Sequence, residues 1–390
     1  MESAVRDAMR EVSAFDRSRT LGRVLSGLNP ANVDGAVRGM RSDSDQLEPI
    51  DLQLLLSAWT RFDAFSALSE AERWPSKTGR ELGMRIVMRE WAASGRVLDA
   101  VNYYQTLQDP ETRALLAGPL LRGWAMSGDV DGALERARRI WELGEAEDSV
   151  DGFVRGAVTA LGPEEMLERM STLQAAGSGD FEQRLMRSTL NLSAREIPAA
   201  TAEVYSELAG DMPPEWLHGA LKVIALSWAE TDPQAAIEWL LKQPDRTERT
   251  VALKQIMRTW TLRDLDAAWG WWLAEKELAD ERGIENAPLR SILLAPALRS
   301  MAEFRPVEAS KWVEQVTKPE ARMVLIQRIA HFWALRDPEQ AQAWVDGLGL
   351  SDEAAAKIAQ AIARARSARR ERASEEIRGE SAPPGARSAP

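Results

Sequence analysis

Between Arg249 and Trp260 the apolar residues Val251, Leu253, Ile256, Met257 and Trp260 fall at the spacing that lines one face of a helix. The pattern breaks at Asp264 and resumes with Ala267, Ala268, Trp271 and Trp272. This predicts two helices joined by a short turn, with the Asp264 carboxylate accepting from the free amides that open the second. The unit recurs. Trp228, Trp260, Met301 and Trp333 are each followed eight residues later by alanine, at Ala236, Ala268, Ala309 and Ala341. Eleven residues on, each is followed by tryptophan, at Trp239, Trp271, Trp312 and Trp344. Two of the four place proline after the turn aspartate, as Asp232-Pro233 and Asp337-Pro338. Proline suits the first helical position, where its missing amide costs nothing, and the aspartate suits the positive end of the helix dipole. The alanine and the later tryptophan lie three residues apart and share a face. The alanine is then the point of close approach between paired helices, and the tryptophans fill the wider gaps.

Weaker versions of the frame run backwards through Leu192, Val158, Trp124, Trp91 and Trp59 to Leu25, which precedes Asn29-Pro30. Gly95 and Gly128 stand at two of the turns, and Gly162-Pro163 at a third. The anchors at 25, 59, 91, 124, 158, 192, 228, 260, 301 and 333 are about 34 residues apart on average, the length of a two-helix repeat. Asp109-Pro110, Pro213-Pro214, Pro244-Asp245, Pro288 and Pro319 add start signals for first helices. The interval from 260 to 301 is the long one, with its surplus near Glu275 to Asn286, read as an extended helix plus a loop. The expected fold is all-α: an α-solenoid of about ten stacked helix-turn-helix repeats with a C-terminal capping helix. In domain terms, 1–20 is an N-terminal lead-in, 21–350 the tandem repeats, 351–378 the capping helix with a basic end, and 379–390 a disordered tail.

Composition narrows the chemistry. Hydrophobic residues make up 45% of the 390, enough for a continuous core. The net charge is −11, and the last forty residues hold eight Lys and Arg against six Asp and Glu, leaving about −13 on the body. An acidic body repels phosphate backbones and makes nucleic acid an unlikely partner. It suggests instead a basic or extended partner segment. There is no cysteine, and histidine occurs only at His218 and His331, so cysteine or multi-histidine zinc sites are excluded. No signal or transmembrane segment is present, which leads to a cytoplasmic expectation. A segment upstream of Met1 would make the protein periplasmic or membrane-anchored instead.

No Walker loop, Gly-x-Ser-x-Gly, His-Glu-x-x-His or calcium loop occurs. The expectation is therefore no catalytic, cofactor-binding or metal-binding residue, and no cofactor. The fifteen tryptophans invite a sugar-stacking role. At least eight of them lie on the frame, which favours a packing role, whereas Trp74, Trp216 and Trp272 lie off it. Glu164-Glu165 and Glu375-Glu376 read as helix-surface pairs, and His331 as a structural residue ending a first helix. His218 fits a surface position equally. Arg364, Arg366, Arg369, Arg370 and Arg372 make the last helix basic, which suits a solvated C-terminal helix end.

The stretch 121–141, LRGWAMSGDVDGALERARRIW, resembles a tetratricopeptide or pentatricopeptide repeat. With WAETDPQAAIEW and WALRDPEQAQAW, the set is similar to bacterial Trp-rich W-x3-D-P-x2-A-x2-W repeat proteins, a group without an assigned activity. The resemblance covers about residues 20–370 and implies a right-handed superhelix. It also implies a non-enzymatic scaffold binding a protein or peptide along the repeat surface, without indicating which residues bind. A closed (α/α) toroid enzyme acting on carbohydrate is the alternative reading, and an RNA-binding helical repeat a lesser one.

Overall fold

In the computed structural model the described residues are 1–42, 48–146, 148–174, 179–211, 217, 219–244, 247–281 and 287–380. Among them every regular element is helical. The chain forms two compact units, Met1–Ala220 and Leu221–Pro390.

Unit 1 contains α1 (Glu2–Met9), α2 (Ala14–Leu25), α3 (Val33–Arg41), α4 (Pro49–Thr60), α5 (Ala64–Glu72), α6 (Lys77–Ala93), α7 (Val97–Thr106), α8 (Pro110–Met126), α9 (Val130–Glu142), α10 (Ser149–Leu161), α11 (Pro163–Gln174), α12 (Asp180–Ser193) and α13 (Pro198–Asp211). The even-numbered helices α2 to α12 pack each on the next, and α5, α7, α9 and α11 each pack against the helix before and the helix after. Two rows result, the even-numbered helices in direct mutual contact and the odd-numbered ones bridging them. The opening differs from the later pairs, because α1 packs against both α2 and α3.

Glycine brings the even-numbered row close. A Cβ on Gly123 of α8 would collide with the Arg89 carbonyl of α6 and stand 2.8 Å from the Ala92 Cβ. One period later, a Cβ on Gly156 of α10 would collide with the Arg122 carbonyl of α8 and stand 2.9 Å from the Ala125 Cβ. Gly152 lies likewise against the backbone of Gly118. Backbones meet where side chains would otherwise hold the helices apart.

Unit 2 continues with α14 (Ala220–Ala229), α15 (Pro233–Lys242), α16 (Thr247–Arg263), α17 (Leu265–Glu281), α18 (Ala287–Phe304), α19 (Pro306–Ser310), α20 (Pro319–Ala334), α21 (Pro338–Asp346) and α22 (Asp352–Glu380). Here α16, α18, α20 and α22 pack in succession, and α22 lies on both α20 and α21. The long interval contains an extended α17, seventeen residues against ten in α15 and nine in α21. The expected loop after it falls mostly on 282–286, outside the described residues, as does the expected tail beyond 380.

The turn chemistry is as the sequence implies. Asp63, Asp129, Asp232, Asp264 and Asp337 each accept from an amide in the first turn of the following helix, at 2.9–3.2 Å. Pro110, Pro233 and Pro319 occupy first helical positions, while 213–214 and 245 lie outside the described residues. Gly95, Gly128 and Gly162 take φ of 81°, 101° and 87°, a region that side chains disfavour.

Ala236, Ala268, Ala309 and Ala341 are completely buried. The tryptophans pair within each hairpin: Trp228 with Trp239 at 6.2 Å, Trp260 with Trp271 at 5.7 Å, and Trp333 with Trp344 at 5.6 Å between ring centroids. The fourth hairpin departs from this. Met301 offers no ring, and Trp312 instead meets Trp269 and Trp272 edge-on, at 5.2 and 5.6 Å. Off-frame Trp74 and Trp272 are buried too, and Trp216 lies outside the described residues.

Arginines tie the turns together. Arg80, Arg113, Arg249 and Arg322 each donate to the carbonyl six residues earlier: Trp74, Leu107, Gln243 and Val316. Arg96 donates to Thr60, Arg263 to Glu230, and Arg336 to Phe304, each at the end of the preceding first helix. These bonds satisfy carbonyls that a helix terminus leaves without partners.

Candidate functional site

A second set of arginines has no such employment. Arg89, Arg122 and Arg155 sit on α6, α8 and α10 at intervals of thirty-three residues. The glycine contacts set their spacing, since Gly123 rests on the Arg89 carbonyl and Gly156 on the Arg122 carbonyl. Two cavities open beside this row and share Asp151 and Arg155 in their walls, so they form one groove across α6, α8, α10 and α12. The larger cavity has a volume of about 490 Å³. Arg85, Arg89, Arg122, Arg155, Arg184, Arg187 and Arg195 line the groove against two acidic residues, Asp148 and Asp151.

Two of the seven arginines are neutralised locally. Arg89 pairs with its neighbour Glu90 at 2.6 Å, and Arg184 with Asp151 at 2.5 Å. Arg85, Arg122, Arg155, Arg187 and Arg195 make no side-chain hydrogen bond or ion pair with any described residue. Arg122 and Arg187 are half-buried, and Arg85, Arg155 and Arg195 are exposed. The Nε atoms of Arg122 and Arg187 are buried, as is Oδ1 of Asn191 in the same wall, and none has a partner among the described residues. Buried polar atoms of this kind, two donors and one acceptor, are costly to leave unmet.

The electrostatics of Arg122 show the crowding. Desolvation, followed by the positive charges of Arg89 and Arg155, holds its guanidinium below the ordinary arginine value, with Glu90 acting the other way. An anion in the groove would relieve that repulsion. Apart from the Gln53 amide, the remaining walls of the larger cavity are aliphatic or small, with Leu82, Ile86, Ala114, Leu115 and Pro119 among them and no aromatic ring. Pro119 lies inside α8 and has no amide to give the Leu115 carbonyl.

The local charge of the groove is the reverse of the net charge. A chain of −11 suggests a basic partner, but α6, α8, α10 and α12 each contribute arginine to this one face, against only Asp148 and Asp151. These arginines belong to no motif that spacing alone marks out. The available signal was an arginine two residues before Trp91, two before Trp124 and three before Val158.

Other sequence candidates do not converge. His331 is exposed at the end of α20, beside the Phe332 ring, and His218 lies outside the described residues. Arg364 is exposed, and Arg366 pairs with Glu339 at 3.3 Å. Glu164 and Glu165 are exposed in the first turn of α11. Among the described residues, no group of three or more acidic or histidine side chains is placed to hold a metal ion, and no helix is long and apolar enough to cross a membrane. No protein-family model matches the chain, and no curated protein matches it in sequence.

Proposed function

We propose that the chain is a tetratricopeptide-like α-solenoid of about ten helix-turn-helix repeats, with a right-handed superhelix. It acts as a non-enzymatic scaffold, binding a protein or peptide along the face presented by its first helices. The supporting observation is the groove across α6, α8, α10 and α12, where five arginines lack partners on a surface built one helix per period. Recurrent Asp caps and buried alanines at a common spacing support the stacking, and the likeness to Trp-rich bacterial repeats supports the class.

The test is affinity capture from a lysate of the source cells, with and without nuclease, followed by reconstitution with the purified captured protein. A defined complex that survives nuclease is the expected result. Loss of capture on nuclease treatment would favour an RNA-binding repeat. An empty eluate together with turnover on a polysaccharide panel would favour the toroid enzyme.

A further inference from the structure

We propose that the arginine groove of unit 1 binds an extended acidic segment of a partner protein, with aliphatic side chains among its carboxylates. The inference rests on the scaffold reading and names its ligand.

Charge comes first. Seven arginines against two aspartates leave the groove positive in a protein of net −11. The chain's own last helix does not suit as occupant, because it is not acidic, with seven Lys and Arg against six Asp and Glu. Extent comes second. The arginines lie on α6, α8, α10 and α12, with Arg195 just past the end of α12, and packed helices stand about 8–10 Å apart, so the row runs for roughly 25–30 Å. A single small anion would meet one or two of them, whereas an extended peptide of about eight residues would meet the whole row. Wall chemistry comes third. Leu82, Ile86, Leu115 and Pro119 offer aliphatic contact between the charges, which suits leucine or valine side chains. A nucleic acid would use aromatic platforms for its bases, and the walls of the groove have none.

The probe is a fluorescein-labelled dodecapeptide of repeating Glu-Glu-Leu, followed by fluorescence anisotropy on the full chain. Wild-type protein should bind it saturably, with Kd of about 1–100 μM at low salt, weakening several-fold as salt rises from about 0.05 to 0.5 M. The variant R89E/R122E/R155E should bind at least about tenfold more weakly, because attraction is replaced by repulsion at three sites. R85E/R155E changes only exposed side chains, preserves the fold if the triple variant does not, and should lose several-fold. K311E reverses an exposed lysine at the end of α19, a second helix of unit 2, and should leave affinity unchanged.

Absence of wild-type binding at about 1 mM peptide would overturn the proposal, as would equal binding by wild type and R85E/R155E. So would tighter binding of a single-stranded RNA dodecamer that the same variants abolish, which would make the groove a nucleic-acid site. The scaffold reading is separable from this result. A captured partner that binds wild type and R85E/R155E equally leaves the scaffold standing and removes the groove as its site.

Discussion

Gly156 rests against the main-chain carbonyl of Arg122, one helix away in the same row. A Cβ at Gly156 would collide with that oxygen and approach the Ala125 Cβ to 2.9 Å. Alanine is the better helix former by about 1 kcal/mol, but backbone cannot yield as a flexible side chain would. Gly156→Ala is therefore expected to destabilise unit 1 by about 1–3 kcal/mol in urea unfolding. Gly22 of α2 meets nothing within 4 Å, and there Gly22→Ala should stabilise by about 0.5–1 kcal/mol. Opposite signs for the same substitution would show that close approach, and not helix propensity, governs Gly156. A stabilising Gly156→Ala would contradict the packing described here.

The buried pair in the N-terminal part of unit 1 gives a second expectation. Arg17 Nε lies 3.3 Å from Asp51 Oδ2, and Asp51 is completely buried. Asp51 also accepts from the Glu48 amide at 3.0 Å, closing a capping box at the start of α4. Arg17→Met would leave a buried carboxylate without its counter-ion and should cost about 3–5 kcal/mol. Adding Asp51→Leu should recover most of that loss, less about 1 kcal/mol for the cap. Chemical denaturation of the two single variants and the double variant gives the coupling directly. Independent, additive losses would show that the pair is incidental.

Alkaline pH tests a different contact. The completely buried Tyr104 donates its hydroxyl to Glu145 at 3.2 Å, and Glu145 pairs with Arg113 at 2.5 Å. Burial first, and then the Glu145 charge, push the Tyr104 phenol up to about 12. Burial and Glu72 push Tyr103 up to about 12 as well. In the unfolded chain both phenols ionise near pH 10, as tyrosine ordinarily does. The folded state keeps its protons longer, so this contribution is complete below pH 10 and is lost as the pH rises towards about 12. Urea midpoints should be flat up to about pH 10 and fall beyond it, and Tyr103→Phe/Tyr104→Phe should shallow that fall. A normal titration of all three tyrosines by ultraviolet absorbance near pH 10 would refute the assignment.

The readable part of this chain was the part that needs particular residues. A turn aspartate has one hydrogen-bonding task, and Asp232, Asp264 and Asp337 perform it where the spacing placed them. Fully buried alanine at the crossing was readable for the same reason, because only a small side chain fits there. The pairing of the tryptophans was not. Trp312 keeps the spacing of Trp239 and Trp344 yet turns to Trp269 and Trp272, because Met301 replaces the ring that would have met it. The groove was hidden more deeply. Arginine serves equally as a turn clamp, a surface charge or an open donor, and only the contacts separate Arg113 and Arg336 from Arg122 and Arg155. Gly123 and Gly156 carried the missing clue, since mid-helix glycine at a fixed period has a packing cause.

The most direct measurement is hydrogen–deuterium exchange of the full chain, alone and saturated with the protein it captures. Binding along the first helices of unit 1 predicts slowed exchange in peptides covering 82–89, 114–122, 151–155 and 184–195, with the α5, α7 and α9 segments unchanged. Protection confined to those second helices or to unit 2 would contradict the account and move the partner surface away from the arginines.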